Sequence, residues 1–457
     1  MKIPVSPPEL QAIINATLEQ DPGLISVLLN EVGPVDEKGR YLHWDKLRHL
    51  SPPGDLNVEQ WWLGMRLARN KSAQLIPLYD KQGEPFRYCL PDIVQRELHW
   101  LDRHASGSIQ TEDAITNPQT RTTYLVRSLI EEAINSSQLE GASTTRNVAK
   151  EMIRQDREPK NKSEQMIANN YHAMQFIHEI KDESLTPSMV FELQRILTQK
   201  TLDEEEMAGR FRTTNDDIHV IDNQSQNLLH TPPPADELPE RMNLLCEFAN
   251  LGSDLTDDQG KRVFLHPIIK AILLHFMLAY DHPFCDGNGR TARALFYWSM
   301  AQQGYWLMEF ISISKIIKQA PAQYGRAYLH TETDHNDVTY FLIHQLDVIH
   351  QAIQALHDFL DKKMKDINEA EELLKSNKKL KGKLNFRQLA LLRHALKHPR
   401  FAYVIQEHQR SHGISYDVAR KDLLQMADEL KLLIKTKQGK LNLFIAPPDL
   451  EERIDKH

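Results

Sequence analysis

Hydrophobic residues recur at helical spacing along most of the chain, and two such stretches lie on either side of one short polar turn. The first stretch leads to Asp281, and Pro283 opposes its continuation because proline lacks an N–H and clashes with the preceding turn. The second runs from Arg290 to about Gln303 and is rich in Ala, Leu and Met. The pattern predicts two helices joined by a turn over 282–289. The apolar positions of the first stretch are Phe264, Ile268, Ile272, Leu273, Phe276 and Met277.

A different pattern lies upstream of these helices. Two short apolar runs, at 218–221 and 227–229, flank a polar tip at 222–226, which predicts a β-hairpin. Earlier still, Thr186 followed by Pro187 is typical of a helix start, since threonine caps the first turn and proline fits its first position.

The pattern changes again after a helical stretch over 339–376, which becomes highly charged in its second half. Three further helices are predicted at 386–397, 401–412 and 416–430. They are followed by a two-stranded hairpin at 432–444, with a glycine at its turn.

These patterns predict a mainly α protein with four parts. The predicted parts are a mixed N-terminal domain over 1–112, a helical central domain over 113–360, a charged helical linker over 361–380 and a small C-terminal domain over 381–457. A length of 457 residues is typical of two to three domains.

Composition narrows the class of protein. Hydrophobic residues make up 41% and charged residues 26%, and no apolar run approaches the ~20 residues of a membrane span. The first residues lack the apolar core of a signal peptide. Three widely spaced cysteines, Cys89, Cys246 and Cys285, favour neither disulfides nor a zinc site. We therefore expect a cytoplasmic protein with no membrane partner.

The turn between the two central helices carries groups suited to phosphate. Gly287 and Gly289 permit backbone angles forbidden to other residues and let a ligand approach closely. A glycine-rich turn at a helix N-terminus presents free N–H groups and the positive end of the helix dipole. Arg290 and Arg293, three residues apart, add guanidinium groups that bind phosphate oxygens through paired hydrogen bonds.

Two further residues of the turn suit catalysis. Asp286 offers the hard oxygen ligand that Mg²⁺ prefers when phosphates provide the other ligands. The imidazole of His282 can accept a proton from a hydroxyl at neutral pH. The combination predicts an enzyme that acts on a nucleoside triphosphate.

The run from His282 to Arg293, His-Pro-Phe-Cys-Asp-Gly-Asn-Gly-Arg-Thr-Ala-Arg, resembles the signature of the Fic (Fido-domain) family, with every specified position intact. In that family the usual activity is adenylylation, in which AMP moves from ATP to a Tyr, Ser or Thr hydroxyl of a protein and pyrophosphate leaves. Relatives that transfer a whole phosphate carry a lysine where this chain has Gly289, which favours nucleotidyl transfer. The resemblance implies these roles: His282 as general base, Asp286 as Mg²⁺ ligand, Gly287, Asn288 and Gly289 as holders of the α- and β-phosphates, Arg290 as partner of the departing pyrophosphate, and Arg293 as partner of the γ-phosphate.

A second segment resembles a regulatory motif of the same family. The run from Ser136 to Gly141, Ser-Ser-Gln-Leu-Glu-Gly, is similar to the inhibitory helix motif that precedes the signature in one class of relatives. The resemblance implies an inhibitory helix over about 125–141. Its Glu140 would pair with Arg293 and so keep the γ-phosphate from its productive place.

Two other features are assigned by position within the family. The hairpin residues Ile218, His219, Val220 and Ile221 resemble the flap that pairs with an extended segment of the target protein by strand addition. Tyr324 falls near the place where many relatives carry a tyrosine beside the adenine.

A nearby cluster of His and Asp suggests either a metal site or a helix cap. It comprises Asp334, His335 and Asp337, around Asn336, and we favour the cap.

The C-terminal segment resembles a winged helix-turn-helix. Residues 381–445 hold 13 Lys or Arg against 5 Asp or Glu, although the whole chain carries a net charge of −8. That local excess is typical of contact with a phosphate backbone. Dimerisation or protein docking through the same fold remains an equal alternative. The candidate DNA contacts are Arg420, Lys421, Lys437 and Lys440.

Three hypotheses for the whole chain follow. The first is a protein adenylyltransferase that uses ATP and Mg²⁺, is restrained by Glu140, and modifies a target protein and itself. The second is a DNA-binding or docking protein, including a homodimer, in which the catalytic domain only regulates. The third is removal of AMP from a target, with Glu140 positioning a water molecule.

Overall fold

The computed structural model describes residues 2–105, 118–222, 225–256, 262–375, 382–438 and 441–456. The predicted mainly α fold is confirmed, since helices account for most of these residues and the strands form only small antiparallel sheets. Among the described helices, none is both long enough and apolar enough to cross a lipid bilayer.

The N-terminal region combines helices with one hairpin, as predicted. Helix α4 begins where the side chains of Asn57 and Gln60 satisfy each other's backbone N–H groups, which fixes the first turn. Trp61 and Trp62, in the same helix, lie in a hydrophobic cluster that α1 to α4 share. The elements are α1 (Leu10–Gln20), α2 (Leu24–Glu31), α3 (Trp44–Leu47), α4 (Val58–Ser72), β1 (Gln74–Tyr79), β2 (Pro85–Tyr88) and α5 (Asp92–Ala105).

A buried ion cluster joins the N-terminal region to the rest of the molecule. Arg66 Nη1 lies 3.2 Å from Asp334 and 3.7 Å from Asp337, and Arg69 Nη1 lies 3.9 Å from Asp334. Asp337 also accepts a hydrogen bond from the backbone N–H of Thr339, which begins the next helix. The predicted capping role is therefore present at Asp337, but both carboxylates also pair with arginines far away in the sequence.

The central region forms the largest hydrophobic core, into which β1, β2 and α5 also pack. Its centre is the antiparallel pair α11 and α12, whose side chains are almost all buried. The elements are α6 (Pro118–Leu139), α7 (Arg146–Gln155), α8 (Lys162–Glu179), α9 (Pro187–Thr198), β3 (Val220–Ile221), β4 (Leu228–His230), α10 (Leu238–Asn250), β5 (Asp254–Thr256), β6 (Arg262–Phe264), α11 (Pro267–Asp281), α12 (Asn288–Gln302), α13 (Ile313–Ile317), α14 (Pro321–Thr333) and α15 (Thr339–Lys375).

Several short elements refine the predicted pattern. Thr186 accepts a hydrogen bond from the N–H of Met189, which confirms the predicted start of α9. The hairpin of β5 and β6 was not predicted. Single turns of 3-10 helix lie at Glu205–Met207, Thr214–Asp216, Ala235–Glu237 and Trp306–Phe310.

The C-terminal region has its own hydrophobic cluster and a three-stranded antiparallel sheet in the order β7-β9-β8. The predicted helix over 401–412 was wrong at its start, because residues 402–404 form a strand that pairs with β9. The helix predicted over 416–430 changes to a π-helical turn at Gln425–Glu429. The elements are α16 (Phe386–Lys397), β7 (Ala402–Val404), α17 (Ile405–His412), α18 (Tyr416–Leu424), β8 (Ile434–Gln438), β9 (Leu441–Ile445) and α19 (Leu450–Lys456). The assignment as a winged helix-turn-helix stays a prediction, and Lys440 lies outside the described residues.

Candidate active site

The candidate site lies at the turn between α11 and α12, as predicted. Helix α11 ends at Asp281, and His282 adopts a left-handed backbone conformation with φ of 45° while its N–H still bonds the carbonyl of Leu278. Such a conformation is uncommon for a residue with a side chain and is held here by the surrounding bonds. It turns the chain sharply out of the helix and starts the loop.

Asn288 holds the loop closed from within. Its side-chain oxygen accepts from the N–H of Phe284 at 2.9 Å, and its amide group donates to the carbonyl of the same residue at 2.7 Å. Phe284 is fully buried and anchors the loop in the core. The side chain of Asn288 therefore shapes the loop and is fully engaged with the backbone of Phe284.

Arg290 lies beneath the loop and is almost completely buried. Its guanidinium donates to the carbonyl of Leu197 at 2.8 Å and to the carboxylate of Asp286 at 3.1 Å. The Asp286 side chain is 46% exposed, so one face of its carboxylate remains open to solvent. Arg290 thus orients Asp286, a link that sequence spacing alone did not predict.

The first turn of α12 has no side-chain cap, so its leading N–H groups lack partners from the helix or from a capping side chain. Gly289 lies in this turn, and a side chain there would overlap Oε1 of Glu140. The Glu140 carboxylate therefore lies against the helix N-terminus, which is where an anion is most stabilised.

Arg293 binds two residues of the predicted inhibitory motif. Its Nε donates to the hydroxyl of Ser136 at 2.9 Å, and its Nη2 donates to the carbonyl of Ser136 at 3.1 Å and to Oε1 of Glu140 at 2.8 Å. Burial alone would lower the pKa of Arg293, but the neighbouring Glu140 carboxylate raises it above the ordinary value. The predicted pairing of Glu140 with Arg293 is present in the structure.

The predicted inhibitory helix is longer than expected and ends earlier. Helix α6 spans Pro118–Leu139, so Glu140 follows its last residue instead of lying within it. Gly141 adopts a positive φ of 94°, and the N–H groups of Gly141 and Ala142 bond carbonyls of the last helical turn. This glycine ending directs the Glu140 side chain toward α12.

His282 is held as a neutral imidazole. Its Nδ1 lies 3.3 Å from the carbonyl of Ala279, so this nitrogen carries the proton and Nε2 presents its lone pair. Burial lowers the pKa of His282 to about 4. The imidazole is therefore uncharged at neutral pH and able to accept a proton.

The predicted hairpin is present but shorter than expected, and its role as a flap stays a prediction. Only Val220 and Ile221 form the first strand, which pairs with β4, while Ile218 and His219 lie in the segment before it. Ile221 and its cross-strand partner Leu228 are about half exposed. Residues 223 and 224, at the tip, lie outside the described residues.

Tyr324, on helix α14, lies close to Arg293, on helix α12. Its hydroxyl lies 2.8 Å from Nε2 of His275 and 3.2 Å from the hydroxyl of Tyr328. The Arg293 guanidinium is near enough to oppose the rise that burial causes in the pKa of Tyr324. The structure thus brings Tyr324 to the same side of the site as the second arginine.

Comparison with known proteins decides the family of this region. Residues 184–300 match the model of the Fic/DOC family, and this range holds the whole turn. The chain carries a Fic domain.

Related proteins match only part of this chain. The chain is 35% identical over 125 residues to the protein adenylyltransferase Fic of Nematostella vectensis, covering 27% of this chain and 25% of that protein. It is 35% identical over 98 residues to protein adenylyltransferase fic-1 of Caenorhabditis elegans, covering 21% of this chain and 16% of that protein. The chain thus spans about a quarter or less of the length of these curated relatives.

Solved structures match more of this chain, but with low sequence identity and low TM-scores. A Fic family protein from Desulfovibrio desulfuricans covers 78% of this chain and 96% of its own, at 18% identity and a TM-score of 0.46. A Caenorhabditis elegans Fic-1 fragment covers 79% of this chain and 90% of its own, at 17% identity and a TM-score of 0.48. Likeness at this level carries no conclusion about function.

The Fic domain contains one arginine whose role sequence reasoning missed. Arg212 donates through Nε to the carbonyl of His282 at 2.8 Å and through Nη2 to the carbonyls of Pro233 and Asp281 at 2.5 and 3.3 Å. Its own N–H bonds the carbonyl of Pro283 at 2.9 Å. One buried side chain therefore ties the segment before the β3–β4 hairpin to the backbone of the candidate base.

A second missed residue supports the loop of the Fic domain from α9. Gln194 is fully buried, donates to the carbonyl of Asp286 at 3.0 Å and accepts from the N–H of Gly209 at 2.5 Å. Neither Gln194 nor Arg212 has a sequence pattern that marks it, because each acts through backbone atoms far away in the chain.

The Fic domain also buries an acidic group directly before the candidate base. Burial raises the pKa of Asp281 to about 6, although the positive charge of Arg241 opposes this rise. Nη2 of Arg241 lies 2.7 Å from the Asp281 carboxylate. Arg241 also donates to the carbonyls of Tyr79 and Asp80. The end of α11 is thereby linked to the N-terminal hairpin.

Proposed function

We propose that this chain transfers AMP from ATP to a Tyr, Ser or Thr hydroxyl of a protein, and that Glu140 restrains the transfer. The observation that carries the proposal is the position of the Glu140 carboxylate, held between the first turn of α12 and Arg293. A carboxylate held by these groups indicates an anion site. The adenylyltransferase names of the relatives support AMP as the transferred group.

The proposed chemistry uses the neutral imidazole of His282. Its Nε2 accepts the proton of the target hydroxyl while the hydroxyl oxygen forms a bond to the α-phosphorus of ATP. The bond from that phosphorus to the bridging oxygen breaks, and pyrophosphate leaves with the electron pair. The N–H groups at the start of α12, with Arg290 and Arg293 nearby, balance the charge of the departing group.

A Mg²⁺ ion fits the residues present. Asp286 offers a half-exposed carboxylate beside the anion turn, and Mg²⁺ commonly takes one or two carboxylates with phosphates and waters as its other ligands. Within the described part of the chain, no cluster of three or more His, Cys, Asp or Glu forms a metal cage. When bound with ATP, the ion would neutralise phosphate charge, and Asp286 would hold it.

Restraint by Glu140 follows from competition for one guanidinium. Arg293 is buried, so its charge needs a partner, and the Glu140 carboxylate supplies one at 2.8 Å. A γ-phosphate would need the same donors. Because one set of donors cannot satisfy both anions, binding of ATP in the productive position requires Glu140 to leave.

The β3–β4 hairpin would act as a flap that holds a segment of the target protein in a fixed position. Ile221 and Leu228 present apolar side chains to solvent on a two-stranded hairpin. An extended segment added to this hairpin would gain backbone hydrogen bonds and cover both side chains. The target in this proposal is therefore recognised as an extended chain, and self-modification needs a similar segment of the same protein.

Removal of AMP is the competing direction at the same site. A carboxylate beside the anion turn can also orient a water molecule, and then Glu140 would be needed for activity. The opposite effects of Glu140→Gly distinguish the two: transfer of AMP increases if Glu140 restrains, and removal of AMP stops if Glu140 positions water.

A second candidate function concerns the C-terminal region. Arg420 and Lys421 are exposed on α18 and Lys437 is exposed on β8, which suits contact with a DNA backbone. Binding of the full chain to duplex DNA would weaken as salt rises, and Arg420→Gln with Lys421→Gln would flatten that dependence. Affinity that does not respond to salt would favour protein docking.

The experiment that tests the proposed function is mass spectrometry of Glu140→Gly after incubation with ATP, Mg²⁺ and cell lysate. The expected result is a mass gain of AMP on a hydroxyl of a lysate protein or of the chain itself. His282→Ala in the same background is the matched control and should show none. Folded Glu140→Gly protein that yields no AMP on any protein would reject the proposal.

A further inference from the structure

One face of helix α6, with the residue directly after the helix, carries polar side chains four positions apart at 132, 136 and 140. Residues at this spacing lie on the same side of a helix. Each of them contacts a residue of α12, and the contacted residues are also four positions apart. The pairs are Glu132 with Tyr297, Ser136 with Arg293, and Glu140 with Gly289. The two helices therefore meet in one antiparallel register that ends at the anion turn.

Glu132 lies at the inner end of this register and is only 2% exposed. Its carboxylate accepts from the hydroxyl of Tyr297 at 2.9 Å and from the hydroxyl of Ser312 at 2.7 Å. It also accepts from the backbone N–H of Ser314 at 3.2 Å and from the hydroxyl of the same residue. A buried carboxylate is costly unless hydrogen bonds satisfy its oxygens, and four donors match its capacity. Glu132 thus ties α6 both to α12 and to the start of α13.

The outer end of the register is held much more weakly. The Glu140 side chain is 32% exposed, whereas Ser136 is as buried as Glu132. Within the described part of the chain, the Glu140 carboxylate accepts one hydrogen bond, from Arg293 at 2.8 Å. The helix has already ended at this point, since Gly141 turns the chain with a φ of 94°. Glu140 can therefore move toward solvent at the cost of a single contact.

The opposite face of α6 is packed against the rest of the domain. Ile130, Ala133 and Ile134 are buried in a hydrophobic cluster that α7 and α8 share. The hydroxyl of Ser137 donates to the carbonyl of Met166 in α8 at 3.1 Å. Undocking the whole helix would expose these apolar side chains and leave the donors around Glu132 without an acceptor. Displacing Glu140 alone requires neither.

We propose that Glu132 is a positioning residue that fixes the register of α6 on α12, and that Glu140 is released by movement of residues 139–142 while α6 stays docked. The side chain of Glu132 sets where the helix ends, so it sets the Glu140 carboxylate beside Gly289 and Arg293. Without Glu132 the helix can shift along or around its axis, and Glu140 loses its place. This inference rests on the restraint by Glu140 proposed above and adds how that restraint is built and released.

Native-state hydrogen–deuterium exchange on the unmodified full chain, without nucleotide, tests the local release. Amides at 139–142 should exchange through local openings that low concentrations of denaturant leave unchanged, whereas amides at 129–136 should exchange only when the core unfolds. A single common opening for 129–142 would mean that α6 undocks as a whole, and would overturn the proposal. No nucleotide is present, so the result is independent of the proposed transfer reaction.

Calorimetric titration with Mg-ATP tests the positioning role through its dependence on Glu140. Glu132→Ala should raise the affinity for Mg-ATP by about fivefold when Glu140 is present, because the competing carboxylate is misplaced. In the Glu140→Gly background the same substitution should give no further gain, since no carboxylate remains to be positioned. Glu132→Gln keeps the length of the side chain and one acceptor oxygen, so it should raise the affinity less than Glu132→Ala does.

Glu131→Ala is the matched control, because Glu131 is a buried carboxylate on the same helix that instead binds Arg146 and Lys150 at 2.6 Å each. It should leave the affinity for Mg-ATP nearly unchanged in both backgrounds. A gain from Glu132→Ala that persists in Glu140→Gly would show an effect of charge alone and overturn the positioning role, as would no gain when Glu140 is present. Absence of Mg-ATP binding in every variant would reject the nucleotide site itself, while the exchange experiment would still decide how α6 opens.

Discussion

Arg293 is held by Ser136 as well as by Glu140: Nε donates to the Ser136 hydroxyl at 2.9 Å, while Nη2 donates to the Ser136 carbonyl at 3.1 Å and to the Glu140 carboxylate at 2.8 Å. The two residues do different work. Ser136 fixes where the guanidinium lies, and the Glu140 carboxylate neutralises the positive charge of the guanidinium. Removal of Glu140 therefore leaves the arginine in place and frees a position for a phosphate oxygen.

Glu140→Gly should bind Mg-ATP more tightly by about 10- to 100-fold, because ATP no longer competes with the side-chain carboxylate. The same change should lower the free energy of unfolding without nucleotide by about 1–3 kcal/mol, since the buried Arg293 loses its counter-charge. Calorimetric titration and thermal unfolding measure the two effects, and Mg-ATP should restore the melting temperature. Glu158→Gly, an exposed glutamate in the loop after α7, is the control and should change neither. Unchanged nucleotide affinity would contradict the restraint.

Ser136→Ala in the Glu140→Gly background should reduce Mg-ATP affinity by about tenfold, since a buried guanidinium N–H loses its acceptor at a cost of about 1–2 kcal/mol. Titration of the two proteins side by side gives the comparison. Ser143→Ala, at an exposed serine near the same motif, is the matched control. Equal affinity of the single and double variants would show that Ser136 does not position Arg293.

The pH dependence of transfer should reflect the buried imidazole. Because burial lowers the pKa of His282 to about 4, the neutral form that accepts a proton persists well below pH 6. In Glu140→Gly, kcat/KM should stay level from neutral pH to about pH 5 and fall toward pH 4, whereas an ordinary histidine would lose activity near 6.5.

Asp281 needs a control in that experiment, because burial raises its pKa to about 6. A fall in kcat/KM near pH 6 that disappears in Asp281→Asn belongs to this carboxyl. A fall near pH 6.5 that persists in Asp281→Asn would contradict the assignment of a buried neutral His282. Circular dichroism at each pH separates loss of activity from acid unfolding.

Arg212→Lys should lower kcat by about 10- to 100-fold and leave the KM for ATP nearly unchanged. A lysine cannot span the three carbonyls that Arg212 binds, so His282 loses its orientation while the anion turn keeps its own bonds. Arg210→Lys, at the half-buried arginine two positions earlier, is the control. If KM for ATP rises while kcat holds, Arg212 supports nucleotide binding instead of base positioning.

The sequence predicted which residues meet at the site better than it predicted the contacts that support them. The turn from His282 to Arg293 and the Ser136–Gly141 motif each combine unusual residue types at fixed spacing, and their geometry is local. Arg212 and Gln194 could not be predicted in the same way, since their partners are backbone carbonyls separated by up to 92 residues. Tertiary contacts of this kind leave no periodic signal.

Errors in the predicted elements have a similar cause. Residues 402–404 follow a helical pattern of apolar positions, yet they form a strand because β9 offers unpaired backbone groups beside them. The first strand of the predicted hairpin is shorter than expected, since Ile218 and His219 do not pair with β4. Pairing with a distant strand decides these segments, and local propensity does not report it.

The ion cluster of Arg66, Arg69, Asp334 and Asp337 ties the N-terminal region to the start of helix α15. A shortened protein that starts at residue 113 would retain both aspartates but neither arginine, so each carboxylate would lose its partner charge. Such a fragment should be less stable than the whole chain. Replacing the two aspartates with asparagine removes the orphaned charges and should recover part of that loss.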